Sequence, residues 1–209
     1  MAYLGRVVRV LQRHRVLLDR LDAALGDGDH GENMATGFRA VLGAGLEAAP
    51  TADLGALLRS VGHVLVASVG GASGPLYGTA FIEAGFSLGG STRADASALA
   101  DALDAAVRGL ARRGRCDTGD KTILDALRPA ALAFRSAADA GEPVESALRA
   151  AAWAAHRGMR ATTPLVARRG LALRLGERSR GHQDPGATSC FLLVRAMLPP
   201  RRRAPGHRG

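Results

Sequence analysis

A chain of 209 residues, 47% hydrophobic and 22% charged, is long enough to bury one sizeable core and has an ordinary globular balance. Aromatics make up only 4% of it while Ala and Gly abound, which disfavours a β-sandwich and favours closely packed helices. The formal charge of +9 invites a nucleic-acid reading, but Lys121 is the one lysine among 28 basic residues and no basic helix carries stacking aromatics. A solvated, Arg-rich surface accounts for the charge, and no nucleic-acid partner is expected. No apolar run approaches the roughly 18 residues a membrane span needs, so no membrane partner is expected either. The N-terminal stretch is charged at helical intervals and makes a poor secretory signal. Cys116 and Cys190 form no disulfide framework and lack metal-ligand spacing. The cytoplasm is the expected compartment.

Taken in order, residues 6 to 22 carry apolar side chains at helical intervals, from Val7 to Leu21. The stretch "GDGDHG" breaks that helix, and helical character resumes over 32 to 47. "AAPTAD" marks the next turn, with Thr51 as N-cap, and residues 52 to 68 repeat Leu and Val on one face. A glycine cluster, "SVGGASGPLYG", leads into a helix that begins near Pro75 or, by its apolar pattern, spans 79 to 87. Further helices are expected from about 95 to 112, through Phe134 with a cap at Asp120 or Thr122 and a bend near Pro129, and from about 144 to 160. Residues 162 to 185 read as loop, and a last helix runs from about 186 to 198. No alternating strand pattern persists. The fold class is therefore all-α, a single domain over 1–198 built as a bundle or barrel of about eight antiparallel helices. Residues 199–209, rich in Arg, Pro and Gly, form a basic tail with nothing to bury.

The chemistry concentrates at "LDAALGDGDHGENM", which holds Asp22, Asp27, Asp29 and Glu32 with no Lys or Arg between Arg20 and Arg39. As a dinucleotide fingerprint "GDGDHG" fails, because a helix precedes it where a strand is required. A P-loop is excluded, since Lys121 follows Asp120 instead of glycine, and an EF-hand loop fails at Phe38. Capping would explain Asp29 and Glu32 as a capping box, but leaves Asp22 at the unfavourable end of a helix. Converging carboxylates without a basic partner call for a cation, and hard oxygen ligands on a tight turn suit Mg²⁺. "GGASG" offers the matching anion site, with glycines that let the backbone approach and a helix N-terminus just beyond. "HQDPGATS" supplies a second helix start. His14, His63 and His156 read as surface or packing residues, while His30 and His182 lie in the loop motifs and are better contact candidates.

Together "GDGDHG", "GGASGPLYGT", "GDKT" and "LGERSRGHQDPGATS" resemble the L-subunit family of dihydroxyacetone kinases, in the branch driven by the phosphoenolpyruvate:sugar phosphotransferase system. The resemblance runs from about residue 6 to 198. It implies a barrel of eight antiparallel helices holding ADP or ATP tightly with Mg²⁺ in loops at one end. By motif position Asp22, Asp27 and Asp29 match the metal ligands. His30, Gly31, Asn33, Ala72, Ser73, Gly114, Asp184, Pro185 and Gly186 match nucleotide contacts. The implied partners are an M subunit that carries a phosphohistidine and a K subunit that holds dihydroxyacetone, with Arg178 and Arg180 beside the docking rim. A homodimer, a different small ketose or polyol as acceptor, and a nucleotide-binding regulator stay open. No residue is assigned as catalytic. The pattern departs at Leu171, where the resemblance puts a nucleotide-contacting arginine, at Arg174, where it puts a tyrosine, and at Ile123, where it puts a methionine.

Overall fold

The computed structural model describes residues 2–45 and 53–200. Within them the chain forms eight α-helices and no strand: α1 (Ala2–Ala23), α2 (His30–Gly43), α3 (Leu54–Ser68), α4 (Ser73–Ser87), α5 (Ala96–Gly114), α6 (Leu124–Asp139), α7 (Val144–Ala161) and α8 (Pro185–Met197). A 3₁₀ stretch, Leu171–Ser179, occupies part of the segment that the sequence presents as loop. The stretch is interrupted at Gly176, whose φ of 53° and ψ of -129° fall outside helical geometry. The glycine cluster opens its helix at Ser73, earlier than the apolar pattern of residues 79 to 87 suggests. Asp53 caps α3, its carboxylate accepting from the amides of Gly55 and Ala56. Thr51, the expected cap, lies outside the described residues, as do residues 201–209 of the basic tail. Among the described residues, no helix is long and apolar enough to cross a membrane.

Each helix packs on the next in sequence, and α8 returns to pack on α1, so the order of contacts is a closed ring. The closure runs head to tail: Tyr3 donates to the carbonyl of Leu193, and Arg6 Nε donates to that of Ala196 at 2.7 Å. Phe38, Phe134, Leu11, Leu18, Met34, Leu65 and Leu110 are fully buried inside. A second cavity of about 360 Å³ between α3, α4, α5 and α8 is lined almost wholly by apolar side chains such as Leu57, Phe81, Leu103 and Met197.

Glycine sets the closest approaches. A Cβ on Gly62 would lie 2.6 Å from the Gly78 carbonyl oxygen, and one on Gly78 would lie 2.7 Å from that of Gly62. Gly55 and Gly85 repeat the reciprocal contact two turns away, so the α3 and α4 backbones touch directly. A similar notch joins α6 and α7. Pro129 has no amide for the carbonyl of Asp125, and α6 runs on through it as one helix. Gly158 of α7 packs against that carbonyl, only 1.9 Å from where its Cβ would sit.

Gly62→Ala should therefore cost about 3 kcal/mol by overpacking, a drop of about 10 °C in melting temperature for a domain of this size. Gly43→Ala, at a helical position whose Cβ would meet nothing within 4 Å, should be neutral or slightly stabilising. Thermal melts followed by circular dichroism check both.

Candidate functional site

The connections that lead into α2, α4, α6 and α8 gather at one end of the ring and line a cleft of about 570 Å³. Four helix N-termini thus face one volume, each with the partial positive charge of unpaired amides. What occupies those amides decides what the cleft can bind.

At α2 the occupant is Asp22. From the last turn of α1 its Oδ2 accepts from the amides of Gly28 at 2.9 Å, Asp29 at 3.1 Å and His30 at 3.3 Å. Gly28 makes the turn possible with φ of +84°. Asp29 stands at the N-cap position, yet its side chain accepts no capping bond. Glu32 closes no capping box either: Asp19 accepts its amide, and its carboxylate pairs with Arg15 at 2.8 Å and Arg39 at 3.2 Å. The expected box is replaced because Asp22 already fills the Asp29 amide and Asp19 the Glu32 amide that it would have served.

Asp22, Asp27 and Asp29 remain, each offering an oxygen within 4.8 Å of the others. Among the described residues none of the three forms an ion pair, so three carboxylates crowd together without compensation. Burial first, and then the neighbouring Asp27, push the Asp22 carboxyl above its ordinary range, against the pull of the Gly28 and His30 amides. Three hard oxygen donors on a turn open to solvent fit a divalent cation such as Mg²⁺ that keeps positions free for other ligands.

The start of α4 is different. Ala72 at its N-cap offers no side chain, so the start of α4 carries no side-chain cap where Gly71, Ala72 and Ser73 line the cleft. Gly71 has φ of +61°, and a Cβ there would meet nothing within 4 Å. Gly70 rests against Asn33, whose Oδ1 would lie 2.8 Å from a Cβ at that position. The other starts are closed. Asp184 accepts from Ala187 at 2.6 Å at the head of α8. Thr122 accepts from Leu124 near the head of α6, while Asp125 holds the amides of Gly119 and Thr122. Asp184 thus caps the α8 start, and Pro185 and Gly186 line the cleft beside it.

Behind the cleft, His30 is buried between two serines, with Nδ1 3.1 Å from Ser73 Oγ and Nε2 2.8 Å from Ser189 Oγ. Its burial lowers the imidazole pKa to about 4. Lys121 lines the cleft floor at φ of +63°, and its ammonium is tied to the carbonyls of Thr162, Leu165 and His182. His182 contributes that carbonyl, while its exposed ring does not line the cleft.

Of the site residues read from the sequence, all line the cleft except Gly31. Gly31 instead packs on α1, where a Cβ would lie 2.2 Å from the Arg15 carbonyl oxygen. Leu171 lines the cleft and is 45% exposed, whereas Arg174 lies outside it. Arg180 is held by Glu177 and the Pro164 carbonyl. Sequence reasoning missed Arg113 and Arg169 on the cleft wall. Arg169 sits beside Asp120, Nε to Oδ2 at 3.2 Å, and its only signal was the basic residue before Gly170.

The buried Asp184 carboxyl titrates at about 7, raised chiefly by desolvation. A carboxyl pKa higher in the folded state contributes stability that is complete below about pH 4 and is lost as pH rises through 7. Asp184→Asn mimics the protonated acid and still caps Ala187. In metal-free protein it should remove a pH-dependent loss on the order of 1–3 kcal/mol, raising the melting temperature at pH 8 by about 5 °C relative to wild type. At pH 4 and below the two melts should nearly coincide.

Comparison with known proteins adds relatives to this geometry. Over 97% of the chain and 96% of the relative, it is 37% identical to the ADP-binding subunit DhaL of PEP-dependent dihydroxyacetone kinase 2 from Listeria innocua. It is 38% identical to the corresponding DhaL subunit from Escherichia coli, over 93% of the chain and 92% of that protein. The dihydroxyacetone kinase of C. freundii, solved with AMP-PNP and Mg²⁺, superposes on 93% of the chain with a TM-score of 0.73 at 28% identity. The chain spans about a third of that larger protein, 32% of its length. The DAK2 domain matches residues 24–199, which takes in every cleft loop described above except Asp22 itself. By that match and by its near full-length relatives, the chain belongs to the DAK2 domain family.

Proposed function

We propose that the chain is the ADP-binding subunit of a dihydroxyacetone kinase of the phosphoenolpyruvate-dependent type, and that its cleft holds the nucleotide tightly with Mg²⁺. The observation that carries this reading is the placement of three unpaired carboxylates opposite the uncapped start of α4. A diphosphate needs both: amides to accept its oxygens, and cations to neutralise what the amides leave over. In this reading Asp22, Asp27 and Asp29 hold Mg²⁺. Ala72 and Ser73 at the start of α4 take the phosphates, and Gly114, Ile123 and Leu76 form the apolar wall toward the base. Bound there, the nucleotide supplies the group that accepts and gives a phosphoryl, and Mg²⁺ offsets its charge.

The chain's own part is to bind and orient. No side chain in the cleft is placed as a base for a sugar hydroxyl, since both nitrogens of His30 are taken and Lys121 is tied to carbonyls. The cleft is rimmed by acids and glycines and gives a small neutral ketone little to hold. The acceptor therefore comes on a K subunit docked at the cleft mouth, and the phosphoryl group comes from a phosphohistidine on an M subunit. Positioning of an in-line acceptor supplies most of the catalysis in such transfers, which suits a division of labour between subunits. The basic tail plays no part in this scheme.

Calorimetry should show ADP binding in Mg²⁺ and a large loss of affinity in EDTA. Asp27→Asn should weaken Mg²⁺–ADP binding by about tenfold or more, the cost of one charge-assisted contact. Equal affinity with and without the metal would refute the reading.

Loaded with ATP and Mg²⁺, the isolated chain should phosphorylate free dihydroxyacetone negligibly, and turnover should appear only when a K subunit is added. Rapid turnover by the chain alone would show a self-sufficient kinase.

A further inference from the structure

Two buried hydroxyls behind the cleft, on Tyr77 and Ser189, have no role in the binding scheme above. They form a chain that ends at the cleft wall. Tyr77 OH lies 2.7 Å from Ser189 Oγ, Ser189 Oγ lies 2.8 Å from His30 Nε2, and His30 Nδ1 lies 3.1 Å from Ser73 Oγ. Tyr77, Ser189 and His30 are at most 7% exposed, while Ser73 opens α4 on the cleft side. The chain joins the starts of α2, α4 and α8.

A neutral imidazole carries one proton, so the chain has two arrangements. In the first, Nε2 holds the proton and gives it to Ser189, and Ser73 must spend its own hydrogen on Nδ1. In the second, Nδ1 donates to Ser73, Ser189 donates to Nε2, and Tyr77 donates to Ser189. In the second the hydroxyl donor of Ser189 sits on the 2.8 Å contact and the ring N–H on the 3.1 Å one, the order of lengths expected of O–H and N–H donors. The remaining acceptor nearby, the Gly186 carbonyl, is 3.1 Å from Ser189 and 3.2 Å from Tyr77. It does not need either proton, because the α-helix offers it the i+4 amide of Cys190. Only the second arrangement leaves the Ser73 hydrogen free, and it points the one spare donor of the chain at the volume faced by the uncapped α4 amides.

We infer that Tyr77 and Ser189 are positioning residues that fix His30 as its Nδ1–H tautomer and so turn the Ser73 hydroxyl into a donor toward a nucleotide phosphate. The inference rests on the nucleotide reading of the cleft. His30 then acts on the phosphate through Ser73, without contact of its own.

Nitrogen-15 NMR of histidine-labelled, ligand-free protein reads the tautomer directly, with the His30 signals assigned by their change in Ser189→Ala. Wild type should show a protonated Nδ1 and a bare Nε2. Ser189→Ala removes the donor to Nε2, so its His30 should switch to the Nε2–H form. Mg²⁺–ADP affinity should fall about tenfold in Ser189→Ala and by a similar factor in Ser73→Ala, as expected for one hydrogen bond to an ionised phosphate. The double variant should lose no more than either single one, because both remove the same donor. Tyr77→Phe, which keeps the buried ring, should give a smaller loss. An Nε2–H tautomer in wild type, or additive losses in the double variant, would overturn the inference. Additive losses without a tautomer switch would mark a merely structural role. Should Ser189→Ala fail to fold, the wild-type tautomer together with Tyr77→Phe decides the matter. Wild type that binds no Mg²⁺–ADP would instead refute the nucleotide reading, which the NMR result does not touch.

Discussion

From the last turn of α1 the carboxylate of Asp22 reaches three consecutive amides, and the organisation of the cleft depends on that reach. An acid at a helix C-terminus sits against the wrong end of the dipole, and a half-buried one is costly to ionise. Here the amides at the head of α2 compensate for both. With one oxygen spent in this way, the loop from Leu25 to Asp29 is fixed, Asp27 and Asp29 are brought beside Asp22, and α2 begins where His30 can enter the interior. The second oxygen of Asp22 remains for a cation. One side chain thus folds the loop and gathers the three carboxylates.

The same economy explains why four similar helix starts do four different things. Ring closure brings them to one end regardless of sequence, since alternate helices of an antiparallel ring all begin on the same side. Side chains then close three of them: Asp22 at α2, Thr122 and Asp125 at α6, and Asp184 at α8. Ala72 leaves the fourth open. The cleft is therefore polarised by subtraction, with one electropositive patch at α4 facing one electronegative cluster, and an anion that bridges a cation fits between them.

Much of this was legible in the sequence. Helical spacing located all eight α-helices, because each buries an apolar stripe and the breaks carry glycine, and the absence of basic neighbours singled out the three aspartates. The errors have physical causes. The start of α4 was placed late because Ser73, Gly74 and Pro75 carry no apolar periodicity, and the 3₁₀ stretch has too few turns to declare a period. Asp29 and Glu32 satisfy the local pattern of a capping box, but Asp22 takes the Asp29 amide and Asp19 the Glu32 amide through tertiary structure that a local pattern cannot see. The glycine at position 31 has a reason that its motif does not show, since a side chain there would meet the Arg15 carbonyl across the helix pair. The reciprocal pairs Gly55–Gly85 and Gly62–Gly78 also escaped notice, since each glycine has meaning only opposite its partner.

Lys121 was set aside in the sequence as the wrong lysine for a phosphate loop, and the structure gives it a purely internal occupation, with its ammonium enclosed by three carbonyls. It is also the only lysine in the chain. The protein therefore offers solvent no side-chain amine, although it is strongly cationic. Reagents that acylate or crosslink lysine have no side-chain target on the native surface, and both cysteines are buried as well. Guanidinium groups alone carry the positive charge of the surface. The protein should thus behave as basic toward ion exchangers and anionic partners while presenting no lysine amine to reagents that seek one.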